Sequence, residues 1–260
     1  MNDVFDADLS ACAELVQRAD PDRFAAAMAA PVAARRVLFP LYALAVEVAR
    51  APWASAEPMI AEMRLQWWRD ALEELALGKP PRRHPVVTPL AGILSPQMAA
   101  RLDGFVAVRR WDIYRDPFED DAHLTRYLEQ SSASLLCASA AALGQADEDV
   151  LRDYGYATGL ANWFRAIPEL EARGRIPLLD GSPAGIRRLA EEGLDRLSRA
   201  RAKRALISLA ARPALLAGWQ SGAVLRQLQQ DPGRVATGQI GLSPFARHLR
   251  LSLQAMTGRW

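Results

Sequence analysis

The acids and arginines of this 260-residue chain tend to stand three or four residues apart within helical stretches, so their first chemistry is with one another. Glu169 and Arg173 lie four apart, at the edge of a face on which Thr158, Asn162, Ala166 and Leu170 recur every four residues. Glu47 and Arg50 are three apart, and Asp112 lies three from both Arg109 and Arg115. Buried acids usually come paired and arginine is plentiful here, so Glu47 is expected to pair with Arg50 or Arg64, and Asp112 with Arg115 or Arg109. Trp53, Trp67, Trp68, Trp111 and Trp163 offer large apolar surfaces, suited to a core first and to a lipid-sized cavity second. His84 ends a loop before a proline, and His123 and His248 sit alone on helix faces. Ser131, Ser132 and Ser134 have no neighbouring base and read as packing residues. Cys12 and Cys137 are far apart and lack metal spacing, so neither a disulfide framework nor a zinc site is expected.

These side chains are to be positioned by helices. The pattern predicts Leu9 to Ala19, then a helix capped by Asp20 that runs to the break at Pro31. From Val32 to about Ala51 the pattern is apolar on two sides. Val37, Leu41, Leu44, Val48 and Ala51 form one stripe, and Phe39, Tyr42, Val46, Ala49 and Trp53 the other, as in a helix sandwiched in the interior. Pro40 is expected to bend or divide it. Glu57 to Leu77 is the clearest helix, with Met59, Met63, Trp67 and Leu72 facing inward. Further helices are predicted over Gln97–Arg115, Ala122–Leu143, Asp147–Glu171, a basic stretch from Pro183 to Ala211, Ala214–Gln230 and Phe245–Met256. Pro168 is expected to kink or end the Asp147–Glu171 helix. No strand and no short-period repeat is evident.

Composition sets the outer bounds. Half the residues are hydrophobic and 24% charged, with a net charge of +2, which is ordinary for a globular chain and gives no pull toward nucleic acid. The length suits one domain spanning residues 1–260. The acidic start is unlike a signal peptide, and no window reaches eighteen uncharged apolar residues. A cytoplasmic placement is expected, with peripheral contact to the inner membrane left open. Arg35-Arg36, Arg187-Arg188 and the run Arg196–Arg204 read as solvated helix faces, and as contacts to anionic lipid or an acidic partner in the second instance.

Several segments resemble one family. Arg64-x-x-Trp67-Trp68-Arg69-Asp70, the following His84-Pro85-Val86, and the stretch Asn162, Arg165, Glu169 with the corner Arg173-Gly174-Arg175-Ile176 and Leu178 are similar to the squalene/phytoene synthase family of head-to-head prenyl transferases. Leu41, Tyr42 and Ala43 agree with its first aspartate-rich segment, and the resemblance extends over roughly Arg23 to Leu179. It implies an all-α isoprenoid-synthase-like bundle of about nine to eleven helices around a central cavity. The cavity residues it implies are Tyr42, Val46, Ala49, Trp53, Arg64, Trp67, Trp68, Arg115, Asn162, Trp163, Arg165, Ala166 and Arg173.

The chain departs from that pattern where metal chemistry would sit. The first segment's paired acids fall on Ala49 and Arg50, and the second's on Ala166 and Leu170. In the family those acids hold magnesium against a substrate diphosphate, and alanine and leucine supply no ligand. The resemblance to the family's complex I assembly factors, a divergent branch, therefore implies a non-catalytic scaffold or lipid-binding protein that needs no cofactor. Its expected partners are a lipid or isoprenoid and a protein in respiratory-complex assembly. The alternative is an active prenyl transferase with magnesium rebuilt on Glu47, Asp112 and Glu169. A third reading is a metal-free transferase or lyase in which Arg64, Arg165 and Arg173 hold an anionic group.

Overall fold

The computed structural model describes residues 7–260. Its helices follow the prolines and caps of the sequence. Helix α1 (Ala7–Ala19) gives way at Asp20, whose carboxylate accepts the Arg23 amide and starts α2 (Pro21–Ala29). Next come α3 (Val32–Arg50), α4 (Pro58–Ala76), the short α5 (Val87–Ala91) and α6 (Pro96–Ala107). A 3₁₀ turn, Val108–Asp112, ends that half of the chain. Asp120 caps α7 (Asp121–Leu128), which passes through a π-helical segment, Glu129–Ala133, into α8 (Ser134–Leu143). Then follow α9 (Glu148–Ala172), α10 (Pro183–Ala202), α11 (Arg212–Leu215), α12 (Ser221–Gln230), α13 (Arg234–Thr237) and α14 (Pro244–Thr257). The fold is all-α, as expected; three of these fourteen segments, α5, α11 and α13, are five residues or fewer. The basic stretch from Pro183 does not run to Ala211 but stops at Ala202, and Ile207 then forms an isolated antiparallel bridge with Ala146.

One connected set of buried apolar side chains runs from Leu9 to Trp260, and α3 and α9 pass through its middle. Both stripes of α3 are buried, from Leu38, Leu41, Leu44 and Val48 to Phe39, Tyr42 and Val46. That enclosure explains why Pro40 does not divide the helix: its ring is itself buried, and packing on both faces outweighs one lost ladder bond. Pro168 likewise leaves α9 unbroken, with its ring against the α13 end at Gly238 and a strong stop four residues later. The reading of α4 is corrected in part. Met59 and Met63 are 74% and 67% exposed, whereas Leu65, Trp68 and Leu72 are buried, because the inward stripe of α4 begins at Ala61.

The walls of the cavity meet through small residues. A Cβ on Gly155 would lie 2.4 Å from the Cα of Ala133, and one on Gly159 would lie 2.8 Å from the Cβ of Ser132. Helix α9 thus lies backbone-close against the π-helical segment, whose extra residue per turn turns Ser131 and Ser132 toward the space between α3 and α9.

Candidate functional site

A cavity of about 420 Å³ opens between α3, the 3₁₀ turn after α6, the π-helical segment and α9. Its apolar lining includes Trp53, Trp163 and Leu170, and its charged lining comprises four arginines, Arg23, Arg50, Arg109 and Arg173, against two carboxylates, Asp112 and Glu169. Arg109, Arg173 and Arg23 pair with Asp112, Glu169 and Asp20, and among the described residues Arg50 is the lining arginine without an ion pair, which biases the space toward a ligand with an anionic head and an apolar body.

The two carboxylates are engaged. Asp112 is buried, accepts from Arg109 Nη1 at 3.2 Å, and accepts from the Tyr127 hydroxyl at 2.9 Å. The same hydroxyl accepts from Arg109 Nη1 at 2.9 Å, which closes a three-membered network. Burial raises the Tyr127 phenol above its ordinary range, so it remains a proton donor to Asp112. Burial opposes the Arg109 charge, but Tyr127 and Asp112 more than offset it and hold the guanidinium above its ordinary value. Glu169 is exposed and pairs with Arg173, four residues on, at 2.5 Å.

The Arg173-Gly174-Arg175 corner sets the far rim. The Gly174 amide donates to Glu171 O at 2.8 Å and the Arg175 amide to Leu170 O at 2.9 Å, a Schellman stop that requires the positive φ of 74° at Gly174. The turn throws the two arginines to different tasks. Arg173 lies over the Trp53 ring at 4.5 Å and lines the cavity. Arg175 folds inward and donates to the main-chain oxygens of Trp111 and Asp112, which ties the corner to the 3₁₀ turn. Trp163 completes the wall, with its indole N–H on Pro177 O at 3.0 Å and its ring against Trp111, Phe118 and Tyr127.

Of the residues expected around the cavity, Ala49, Trp53, Asn162, Trp163, Ala166 and Arg173 line it. The others lie elsewhere. Tyr42 borders a small chamber of about 20 Å³ that shares Arg23 and Ser132 with the main space, and Val46 is buried in the core. Trp67 and Trp68 pack edge to face on each other and flank the His84 ring, on the side of α3 toward α5. Arg64 is exposed on α4, and Arg115 lines a separate surface groove beyond Trp53. Arg165 points out of the bundle to Asp22, which it shares with Arg247. Arg64, Arg165 and Arg173 are therefore not brought together to hold one anion. Sequence reasoning missed Arg23, Ser131, Ser132 and Tyr127 as lining residues, since α2, α7 and the π-helical segment reach the cavity only through tertiary packing.

A family model described as squalene/phytoene synthase matches residues 16–178. The chain belongs to that family. A dehydrosqualene synthase solved in complex with a ligand shares the fold with a TM-score of 0.72 at 16% identity, over 96% of each chain. The squalene synthase HpnC from Alicyclobacillus acidocaldarius does so with a TM-score of 0.67 at 18% identity, over 86% of this chain and 93% of that one. Among curated relatives, the Drosophila melanogaster homolog of NADH dehydrogenase (ubiquinone) complex I assembly factor 6 is 29% identical over 177 residues, 65% of this chain and 53% of its own length. The Homo sapiens assembly factor 6 is 24% identical over 169 residues, 64% of this chain and 51% of its own. The chain thus spans about half the length of these curated relatives.

The magnesium that the family's fold implies does not fit the donors present. Ala49, Arg50, Ala166 and Leu170 occupy the facing walls, Asp112 is spent on Arg109 and Tyr127, and Glu169 is spent on Arg173. Glu47 is half-buried on α3 and does not line the cavity. Among the described residues no group of three or more His, Cys, Asp or Glu is placed to hold an ion. Nor is any helix among them long and apolar enough to cross a membrane.

Proposed function

We propose that this protein is a non-catalytic member of the squalene/phytoene synthase family that holds one isoprenoid or lipid chain with an anionic head in its central cavity. In this reading it works as a scaffold of the complex I assembly type. The observation that carries the reading is the makeup of the walls. The positions where the family resemblance expects acids present Ala49, Arg50, Ala166 and Leu170 to the cavity, and the arginines there outnumber the carboxylates. Such a wall attracts a phosphate without a metal bridge, and its two carboxylates are already engaged by Arg109 and Arg173. Similarity to the assembly factors supports the scaffold role and a protein partner in respiratory-complex assembly.

The test has two arms. Purified protein is incubated with farnesyl or geranylgeranyl diphosphate with and without magnesium, and both binding and condensation are followed. Binding that persists in the absence of magnesium, with no condensation product, is the expected result. Magnesium-dependent turnover abolished by Glu47→Ala or Glu169→Ala would defeat the proposal in favour of a prenyl transferase with displaced acids. In the second arm, deletion of the gene in its native host is expected to lower the assembled amount of NADH-oxidising respiratory complex; unchanged assembly removes the scaffold role.

A further inference from the structure

Tyr42 carries a buried hydroxyl that its protein surroundings leave unanswered. The residue is 2% exposed, and among the described residues its phenolic oxygen has no hydrogen-bond partner. Burying a hydroxyl without a partner is destabilising, so folded proteins pair such groups with protein or with ordered water. Tyr42 lines the chamber of about 20 Å³ that lies where α3, α8 and α9 meet the turn at Ala217 and Gly218. The chain offers no side chain to fill that space from α9 or from the turn, since Gly155 and Gly218 stand there, and a Cβ on Gly218 would meet Thr158 Oγ1 at 2.4 Å.

The other polar side chains on the chamber wall are Arg23, Ser132, Ser139 and Thr158. Ser139 gives its hydroxyl hydrogen to Leu135 O at 2.8 Å, and Thr158 gives its own to Tyr154 O at 2.9 Å. Both therefore meet the chamber as acceptors; Thr158 also accepts from Ser221 at 3.3 Å, which leaves it one lone pair. Tyr42 is the donor of the set, because burial raises its phenol above the ordinary range and keeps the proton in place. One donor and two acceptors around a small space suit a neutral molecule that takes one hydrogen bond and gives two. An anion would face the lone pairs of Ser139 and Thr158, and a cation would face the Arg23 guanidinium, whose Cζ lies 5.8 Å from the centre of the Tyr42 ring. Voids stay dry where their walls are apolar, and this one is polar and large enough for one water.

We infer that the chamber is the site of one resident water, which accepts from the Tyr42 hydroxyl and donates to Ser139 and Thr158. Three hydrogen bonds are the ordinary complement of a buried water. It ties α3, α8 and α9 together at a point where each has a polar group and no direct contact between them satisfies Tyr42. Arg23 and Ser132 border both the chamber and the main cavity, so the water stands behind that part of the cavity wall. The site goes beyond the cavity reading and stands whether or not the cavity holds a lipid.

The experiment is a crystal structure of the full chain at a resolution that shows ordered water, joined to circular dichroism melts of the parent and of Tyr42→Phe. A density peak is expected within about 3.2 Å of the Tyr42 hydroxyl oxygen and of the Ser139 and Thr158 hydroxyl oxygens. Tyr42→Phe keeps the ring and removes the water's donor, so it is expected to lower the melting temperature by roughly 2–4 °C. A hydroxyl buried with no water beside it predicts the opposite sign, because phenylalanine would then relieve an unsatisfied group. Three results overturn the inference: a chamber without such a peak, a peak continuous with a molecule lying in the main cavity, or a Tyr42→Phe variant that melts at or above the parent temperature.

Discussion

Replacing Asp112 by asparagine separates a structural carboxylate from a metal ligand. In the structure Asp112 is buried and answers both Arg109 and the Tyr127 hydroxyl, while Arg175 holds its main-chain oxygen independently of the side chain. Asparagine keeps the shape and one acceptor oxygen but removes the charge that Arg109 faces. Breaking a buried pair from one side costs about 3–5 kcal/mol, and the retained acceptor returns ~1 kcal/mol, so a loss of roughly 2–4 kcal/mol is expected. For a chain of this size that corresponds to a fall in melting temperature of roughly 4–16 °C. Urea titrations followed by circular dichroism give the free energy directly, and the cycle with Arg109→Gln isolates the pair. The double variant should recover part of the loss, with a coupling of about 1–3 kcal/mol. The reasoning is refuted if Asp112→Asn melts within about 1 °C of the parent, a shift worth well under 1 kcal/mol. If the same variant also lost a magnesium-dependent turnover, Asp112 would be a ligand rather than a strut.

Three further outcomes follow from specific contacts. Gly155→Ala sets a methyl against the Ala133 backbone and should destabilise by about 1–3 kcal/mol, whereas Gly104→Ala, with nothing within 4 Å, should stabilise α6 by about 0.5–1 kcal/mol; paired urea titrations read both. Burial between Trp67 and Trp68 lowers the His84 pKa below its ordinary value, and its Nδ1 accepts the Val86 amide at 3.1 Å. A depressed folded-state pKa means that the unfolded chain takes up the proton first. The His84 contribution is therefore complete above about pH 6.5 and lost as pH falls from there through the lower folded value; His84→Gln should flatten that part of a stability–pH curve. Ala166→Trp fills the cavity from α9, so metal-free farnesyl diphosphate should no longer raise the melting temperature, although at a hundredfold excess over its dissociation constant it stabilises the parent by about 2.7 kcal/mol. A ligand shift that survives Ala166→Trp places the ligand elsewhere.

Local rules in the chain determined the helices and their ends. Asp20, Asp120, Asp147, Ser182 and Ser243 each accept an amide from the first turn that follows them. The two-sided apolar pattern of Val32–Ala51 predicted a buried helix, the three-residue spacing of Asp112 from Arg109 predicted one of its two candidate pairs, and the Asn162, Ala166, Leu170 face does look into the cavity. Each of these depends on neighbours within a turn or two, which sequence spacing encodes directly.

Tertiary structure decided what spacing leaves open. Pro40 was expected to bend or divide its helix and Pro168 to kink or end its own, yet α3 and α9 each run on as one helix, with Pro40 buried and the Pro168 ring against Gly238. Met59 and Met63 were expected inside and lie outside, because periodicity fixes which residues share a stripe and not which stripe meets the core. The Arg109–Asp112–Tyr127 network joins residues up to eighteen apart, from the 3₁₀ turn to α7, and Arg165 leaves the cavity for Asp22, 143 residues away. Helix α14 is legible as a helix from its sequence, but only the packed fold leaves Phe245, Leu249, Leu253 and Met256 on its outer side. A periodic pattern carries direction around its own axis; the orientation of that axis in the molecule belongs to the partners it packs against.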